Sequence, residues 1–270
     1  MPAFLEINTE RLNRLVGTPG CPALVDVRTD EDFALDPRFI PGSVRRDYRE
    51  PDWIGSFTGA GAIIICQRGR KLSHGVAALL RHRGVPAEVL EGGFEAWAAQ
   101  SLPAVPAARM PSRDTRGRTV WVTRARPKID RIACPWLIRR FVDPNAVFLF
   151  VAPSEVMAVA ERFHAEPFDI DADIAWSHQG ELCTFDVMVE AFGLATAPMK
   201  RLATIVRGAD TARPDLAPEV SGLLAMSLGL SRMHSDDLAQ LDAGMVLYDA
   251  LYRWCRDATD ENHNWPTNRK

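Results

Sequence analysis

One cysteine in this chain has neighbours suited to reaction chemistry. In "IIICQRGRKLSHGVAALL", Ile63 to Leu80, an apolar run ends on Cys66, and Gln67, Arg68, Gly69, Arg70 and Lys71 follow it. A thiol is a nucleophile only as thiolate, which nearby cations and the N–H groups at a helix N-terminus favour. Arg68, Arg70 and Lys71 meet the first condition. The apolar-periodic segment downstream meets the second, because a helix there points its N-terminus back at Cys66. Gly69 lets the intervening loop fold tightly, its amides turned inward as an anion nest. The chemistry implied is attack by sulfur, with an anion stabilised beside it. The plainer alternative is a buried strand-end cysteine followed by a solvated basic turn.

The surrounding elements fit the first picture. "ALVDVR", "AIIIC" and "AEVLEGG" read as strands, and "INTERLNRLV", "HGVAALLRHRG" and "FEAWAAQ" as helices. In "HGVAALLRHRG", Val76, Leu79, Leu80 and Arg83 fall near i, i+3, i+4 and i+7, with Gly84 as C-cap. Strands alternating with helices predict an α/β domain over residues 1–105, a parallel sheet with helices on both faces. Ligands of such sheets bind at the C-terminal ends of the strands, where Cys66 sits. Residues 106–118 have no periodicity and read as a linker or extended arm. Residues 119–270 read as a helix-rich α+β domain. "TVWVTR", "AVFLFV" and "PFDI" are its strands, and Ser154 and Ser235 are expected helix N-caps.

Composition narrows the classes. At 270 residues, 47% hydrophobic and 25% charged, each half has material for a core of its own. A net charge of -3 gives no global basic field for nucleic acid. Residues 106–128 carry seven Lys/Arg against the lone Asp114, whereas 129–270 carry 13 against 21 Asp/Glu. The basic arm is thus expected to dock on its own acidic domain. Five scattered cysteines without a CxxC pair fit free thiols in a reducing compartment. With no basic-then-apolar leader and no apolar run near 20 residues, the chain is expected to be cytoplasmic, without a membrane partner.

Residues 1–105 resemble the rhodanese-like sulfurtransferase domain. The matching residues are Asp26 and Arg28 in "LVDVR", then "DEDF", "IPGSV", Cys66 with its loop, and "LEGGFEAW", in family order. The resemblance implies that Cys66 carries a persulfide and that Gln67, Arg68, Gly69, Arg70 and Lys71 hold the substrate anion, with Asp26 and Arg28 contributing to the site. It implies a small sulfur donor, thiosulfate first among candidates, a thiol acceptor, and no cofactor for the transfer. Two positions depart from the family. Phe39 stands where His is usual, and Lys71-Leu72 replaces Arg-Ser, losing the bidentate fork that suits oxyanions.

The second half, through "IDRIACPWLIRRFVDPNAVFLF", "HQGELCTFD", "IVRGAD", "APEVSGLL" and "GMVLYDALYRW", is similar to the C-terminal domain of ChrB-type chromate-resistance proteins. That family is associated with chromate sensing and resistance. Within these motifs two chemistries compete. Arg131, Arg139 and Arg140 on one helix suit chromate or another oxyanion, unless they are only its solvated face. Asp130, His178, Asp186, Asp210 and Glu219 suit a cation such as Fe, Mn or Zn, although their spacing is no ligand signature. Cys134 and Cys183 are either core residues or acceptors in a sulfur relay from Cys66. The expected function is a persulfide-forming sulfurtransferase coupled to a domain that binds a metal or an oxyanion, in chromate or oxidant resistance. The alternative is a non-catalytic, chromate- or redox-responsive binding protein.

Overall fold

A strand apolar at every position, such as Ala62–Ile65, is stable only when both of its faces are covered. In the computed structural model, which describes residues 5–50, 52–55, 57 and 59–261, that strand lies at the centre of a parallel sheet. The first half runs β1 (Glu6–Ile7), α1 (Thr9–Leu15), β2 (Ala23–Asp26), α2 (Asp30–Leu35), β3 (Arg38–Phe39), β4 (Ser43–Arg45) and α3 (Asp52–Gly55). It continues through β5 (Ala62–Ile65), α4 (Lys71–His82), β6 (Ala87–Leu90), α5 (Gly93–Ala99) and β7 (Val105–Pro106). The sheet order is β1-β6-β5-β2-β4, with every pairing parallel. Side chains alternate between its faces. Val25, Val27 and Ile64 meet Val76, Ala77 and Leu80 of α4, while Leu24, Ile63 and Ile65 join Leu12 of α1 and Phe94 and Trp97 of α5.

The helix after Cys66 begins three residues earlier than its apolar pattern predicts. Its buried face is Ser73, Val76, Ala77 and Leu80, and Leu79 is exposed. The extra turn places the helix N-terminus next to the cysteine. The first residues of the expected linker are not free chain. Val105 and Pro106 pair antiparallel with Phe39 and Arg38. Arg118 pairs with Asp114, and Arg113 reaches the buried Asp143 at 3.2 Å, so the basic arm is fastened to the second half.

That half runs β8 (Val120–Arg124), α6 (Asp130–Leu137), β9 (Val147–Val151), α7 (Val156–Phe163), β10 (Glu166–Pro167), α8 (Thr184–Ala191), α9 (Ala197–Asp210), α10 (Val220–Met233) and α11 (Asp237–Asp257). Its three strands form a parallel sheet in the order β10-β8-β9. The strand expected at "PFDI" is only Glu166–Pro167. Of the expected caps, Ser154 lies in a 3-10 turn, and Asp236 rather than Ser235 accepts the N–H of Ala239. After α6, which contains Pro135, the chain widens into a π-helical turn over Ile138–Val142. No helix among the described residues is long and apolar enough to cross a membrane.

Each half has a buried cluster of its own, around Val76 and Leu80 in the first and around Val122 and Val156 in the second, and a larger one spans both halves. One buried cluster runs from Leu12, Ile63 and Trp97 through Trp121, Trp136 and Phe141 to Tyr252. The π-helical turn makes the contact. Gly42 N–H donates to the Phe141 carbonyl at 2.6 Å, and the Phe141 ring lies flat against Gly17. Both glycines precede strands (β4 and β2), so the second half packs against the N-terminal ends of the sheet, opposite Cys66. A Cβ on Gly17, at φ +77°, would lie 2.1 Å from the ring. Gly17→Ala is therefore expected to destabilise the protein by about 2–4 kcal/mol. Urea unfolding followed by tryptophan fluorescence and by circular dichroism should give one coincident transition for wild type and variant. Two separated transitions would show the halves to be independent.

Candidate functional site

The first site forms where β5 hands over to α4. Cys66 is 5% exposed at the strand's C-terminal end. Its Sγ accepts the Arg70 N–H at 3.3 Å and lies 3.0 Å from the Ser73 hydroxyl on the first turn of α4. The backbone of the loop docks on the start of α5: Phe94 N–H donates to the Cys66 carbonyl and Glu95 N–H to that of Gln67, both at 3.0 Å. Such a fit needs glycine at the contact. Gly69 has φ +61°, and a Cβ there would lie 2.4 Å from the Leu90 carbonyl oxygen. Gly93 has φ +62°, and a Cβ there would lie 2.3 Å from the carbonyl oxygen of Cys66. Arg68 turns outward to Glu95 at 3.0 Å, and the pair holds the Glu95 carboxyl below its usual range. Arg70 and Lys71 are exposed and make no ion pair among the described residues. The result is a thiol with N–H groups and two uncommitted cations around it.

The second site lies at the C-terminal end of the three-stranded sheet. Asp130 opens α6, Asp169 follows β10, His178 precedes α8, and Asp210 ends α9. His178 Nε2 lies 3.2 Å from Asp210, 3.5 Å from Asp169 and 3.7 Å from Asp130. The chain enters α6 through Ile129 at φ 37°, a strained conformation for a β-branched residue, and the Tyr248 hydroxyl donates to its carbonyl at 3.1 Å. This fixes Asp130, which is fully buried and accepts the Phe185 N–H through Oδ2. Burial, then the charges of Asp210 and Asp169, push the Asp130 carboxyl well above its usual range. The hydrogen bond to Asp169, aided by the neighbouring carboxylates and opposed by burial, pushes His178 up to about 9. Burial alone would raise Asp169, but His178, Thr184, Arg131 and Arg124 outweigh it and hold it low.

Residues 121–255, half of the chain, match the ChrB C-terminal domain. The chain belongs to this family. Residues 8–100 match the rhodanese-like domain, in agreement with the five-stranded parallel sheet and its covering helices. Protein ChrB of Cupriavidus metallidurans is 36% identical over 151 residues, covering 54% of this chain and 44% of that protein. The chain thus spans less than half the length of that relative. Among solved structures, a rhodanese-like domain protein from Staphylococcus aureus is 34% identical over 34% of this chain and 89% of its own, with a TM-score of 0.30. A rhodanese-related protein from Thermoplasma volcanium is 20% identical over 38% of this chain and 98% of its own, with a TM-score of 0.33.

Several residues expected at the sites lie elsewhere. In the rhodanese-like domain, Asp26 and Arg28 are sealed from solvent and bound to each other at 2.6 Å. Arg28 also donates to the carbonyls of Asp36 and Arg38, so the pair fastens the chain after β2 and is closed to substrate. In the ChrB-type domain the three expected oxyanion arginines are dispersed. Arg140 forks onto Asp249, Arg139 pairs with Asp242, and Arg131 faces Asp169. Of the expected metal donors, Asp130, His178 and Asp210 converge. Asp186 instead caps α8 and pairs with Arg207 at 3.0 Å, and Glu219 starts α10. Cys134 and Cys183 are fully buried, and burial pushes both thiols far up, closing the expected relay. Sequence reasoning overlooked Ser73 and Asp169. The readable signal for Asp169 was an acid closing an apolar stretch, "PFDI", at a strand end.

Two outcomes test this geometry. Gly93→Ala is expected to cost roughly 2–4 kcal/mol in urea denaturation, because every atom it meets is backbone. For His178 the folded value exceeds the ordinary 6.5, so its charged form stabilises the fold fully below that value and the gain is lost as pH rises through about 9. In chelator-treated protein, His178→Ala should therefore lower the Tm more at about pH 6 than at about pH 9.5. An equal loss at both would remove the ionic role.

Proposed function

We propose that the chain is a rhodanese-type sulfurtransferase that forms a persulfide on Cys66, joined to a ChrB-type domain in chromate or oxidant resistance. The observation that carries this reading is the Arg70 N–H directed at Cys66 Sγ from the N-terminal turn of α4. An N–H donor, the positive end of a 12-residue helix and the exposed Arg70 and Lys71 together form a setting that suits an anionic donor group beside the sulfur.

The reaction is a two-electron displacement. Cys66 thiolate attacks the sulfane sulfur of thiosulfate or a related donor. The new Sγ–S bond forms as the donor's bond to its transferable sulfur breaks, sulfur–sulfur in thiosulfate and carbon–sulfur in mercaptopyruvate, and the electron pair leaves on sulfite or on the pyruvate enolate. The loop amides with Arg70 and Lys71 stabilise that anion as it separates. The Ser73 hydroxyl donates to the Arg70 carbonyl at 2.9 Å and lies 3.0 Å from Sγ, so it holds the turn that directs the Arg70 N–H at the sulfur. An acceptor thiolate then attacks the outer sulfur and releases Cys66 as thiolate. Lys71 holds charge where a bidentate fork is lost, so donors with one charged oxygen group suit the loop as well as thiosulfate.

Wild-type protein incubated with thiosulfate or mercaptopyruvate should gain the mass of one sulfur atom per chain, removable by cyanide, and Cys66→Ser should gain none. No added sulfur on the wild type with either donor overturns the enzyme reading and leaves a redox-responsive binding protein.

A further inference from the structure

The cluster in the second half has the properties of a cation site, independently of sulfur chemistry at Cys66. Ligand atoms of Asp130, His178 and Asp210 all lie within 4.8 Å of one another. Two donors about 2.1 Å from a shared ion, at angles between octahedral and tetrahedral, lie about 3.0–3.4 Å apart. His178 Nε2 and Asp210 Oδ2 are 3.2 Å apart, and Nε2 and Asp130 Oδ2 are 3.7 Å apart, so a small inward movement of Asp130 completes the set.

A second observation is independent of the clustering. The Asp130 side chain is 0% exposed, and its Oδ1 has no hydrogen-bond partner among the described residues. A buried carboxylate oxygen without a partner is costly. The obvious local donors are committed elsewhere. Phe185 N–H goes to Asp130 Oδ2, Thr184 donates to Asp169 Oδ1, and Arg131 and Arg124 both face Asp169 Oδ2. Asp169 is thereby held by other partners, so it neighbours the set without joining it. Three carboxylates also crowd one imidazole nitrogen, and a divalent cation offsets that repulsion in a way one proton cannot.

From these features we infer that Asp130, His178 and Asp210 bind one divalent first-row cation. The donor set is one nitrogen with carboxylate oxygens. Cys183 neighbours the set, but its thiol donates to Asp186 Oδ2 at 3.2 Å and burial keeps it protonated, so it adds no thiolate. Such a set suits Mn²⁺, Fe²⁺ or Zn²⁺ over soft thiophilic ions. Three protein ligands leave coordination positions open, and His178, 41% exposed, forms the site's mouth.

The test uses the full chain carrying Cys66→Ser, stripped with chelator and titrated with MnCl₂ or ZnCl₂. Calorimetry for Zn²⁺, and loss of the free-ion paramagnetic resonance signal for Mn²⁺, should each show one equivalent bound per chain. His178→Ala and Asp210→Asn should each weaken binding at least tenfold, and Glu219→Gln should leave it unchanged. Added metal should raise the Tm of the parent and not that of His178→Ala. Asp210 ends a helix, so if its variant fails to fold, the partly exposed His178 decides the matter. Absence of saturable binding, binding by His178→Ala at parental affinity, or equal weakening by Glu219→Gln overturns the site. Because Cys66 is already removed, that result leaves the sulfurtransferase reading untouched, and failed persulfide formation leaves this one untouched.

Discussion

Both sites depend on the geometry of a parallel strand. Such a strand cannot turn back on itself, so it must be followed by a crossover that usually contains a helix. That helix returns over the sheet, which leaves its N-terminus beside the end of the strand it follows. β5 gives way to α4, and Cys66 lies in the gap. β8 gives way to α6, and Asp130 is the first residue of that helix. Unpaired N–H groups and strand-end side chains are thus brought together twice, on two separate sheets.

The same geometry leads to opposite electrostatics because of what fills the gap. After β5 the loop is short and glycine-bearing, packed so closely on Gly92 and Gly93 that no Cβ fits. The Arg70 N–H faces the thiol, and Arg70 and Lys71 make no ion pair among the described residues. After β8 the connection is longer and ends on a carboxylate, and three other elements bring Asp169, His178 and Asp210 to the same point. Arg131 and Arg124 partly balance this charge, but both are committed to Asp169. The first gap therefore presents an N–H group and cations, whereas the second presents carboxylates.

This difference also decided what could be read in advance. Cys66, Gly69, the cations of the loop and the start of the following helix all lie within Ile63–Leu80, so local pattern was sufficient to single out Cys66. Arg68 was the exception, because nothing local shows that Glu95, 27 residues on, takes its charge. The second site has no local pattern. Asp130, His178 and Asp210 were readable only as candidates alongside Asp186 and Glu219, since all five are acids or imidazoles in similar stretches. Tertiary packing alone separates them, sending Asp186 to Arg207. The two-residue strands β1, β3 and β7 were hidden for a related reason: they are held by their partners and have no length over which alternation can show. The shared core was hidden because Phe141 and Gly17 are each unremarkable in their own stretches and meaningful only against each other.

The shared core also constrains how the halves communicate. The second half meets the sheet at the N-terminal ends of its strands, where a cleft of about 820 Å³ is lined by Gly42, Ala62, Arg139 and Arg140 among others. Cys66 is at the other end, with its loop open to solvent on the Arg70 and Lys71 side. Cys134 and Cys183 lie fully inside the ChrB-type domain, where burial keeps them as thiols. Neither of these two is therefore a ready acceptor for the persulfide proposed on Cys66. Any influence of one site on the other has to pass through packing. The continuous cluster through Phe141 provides such a route, because a well-packed interior transmits displacement where a flexible linker would absorb it. α6 contributes at both ends of that route: its first residue is Asp130, and the π-helical turn continuing from it holds Phe141 against Gly17.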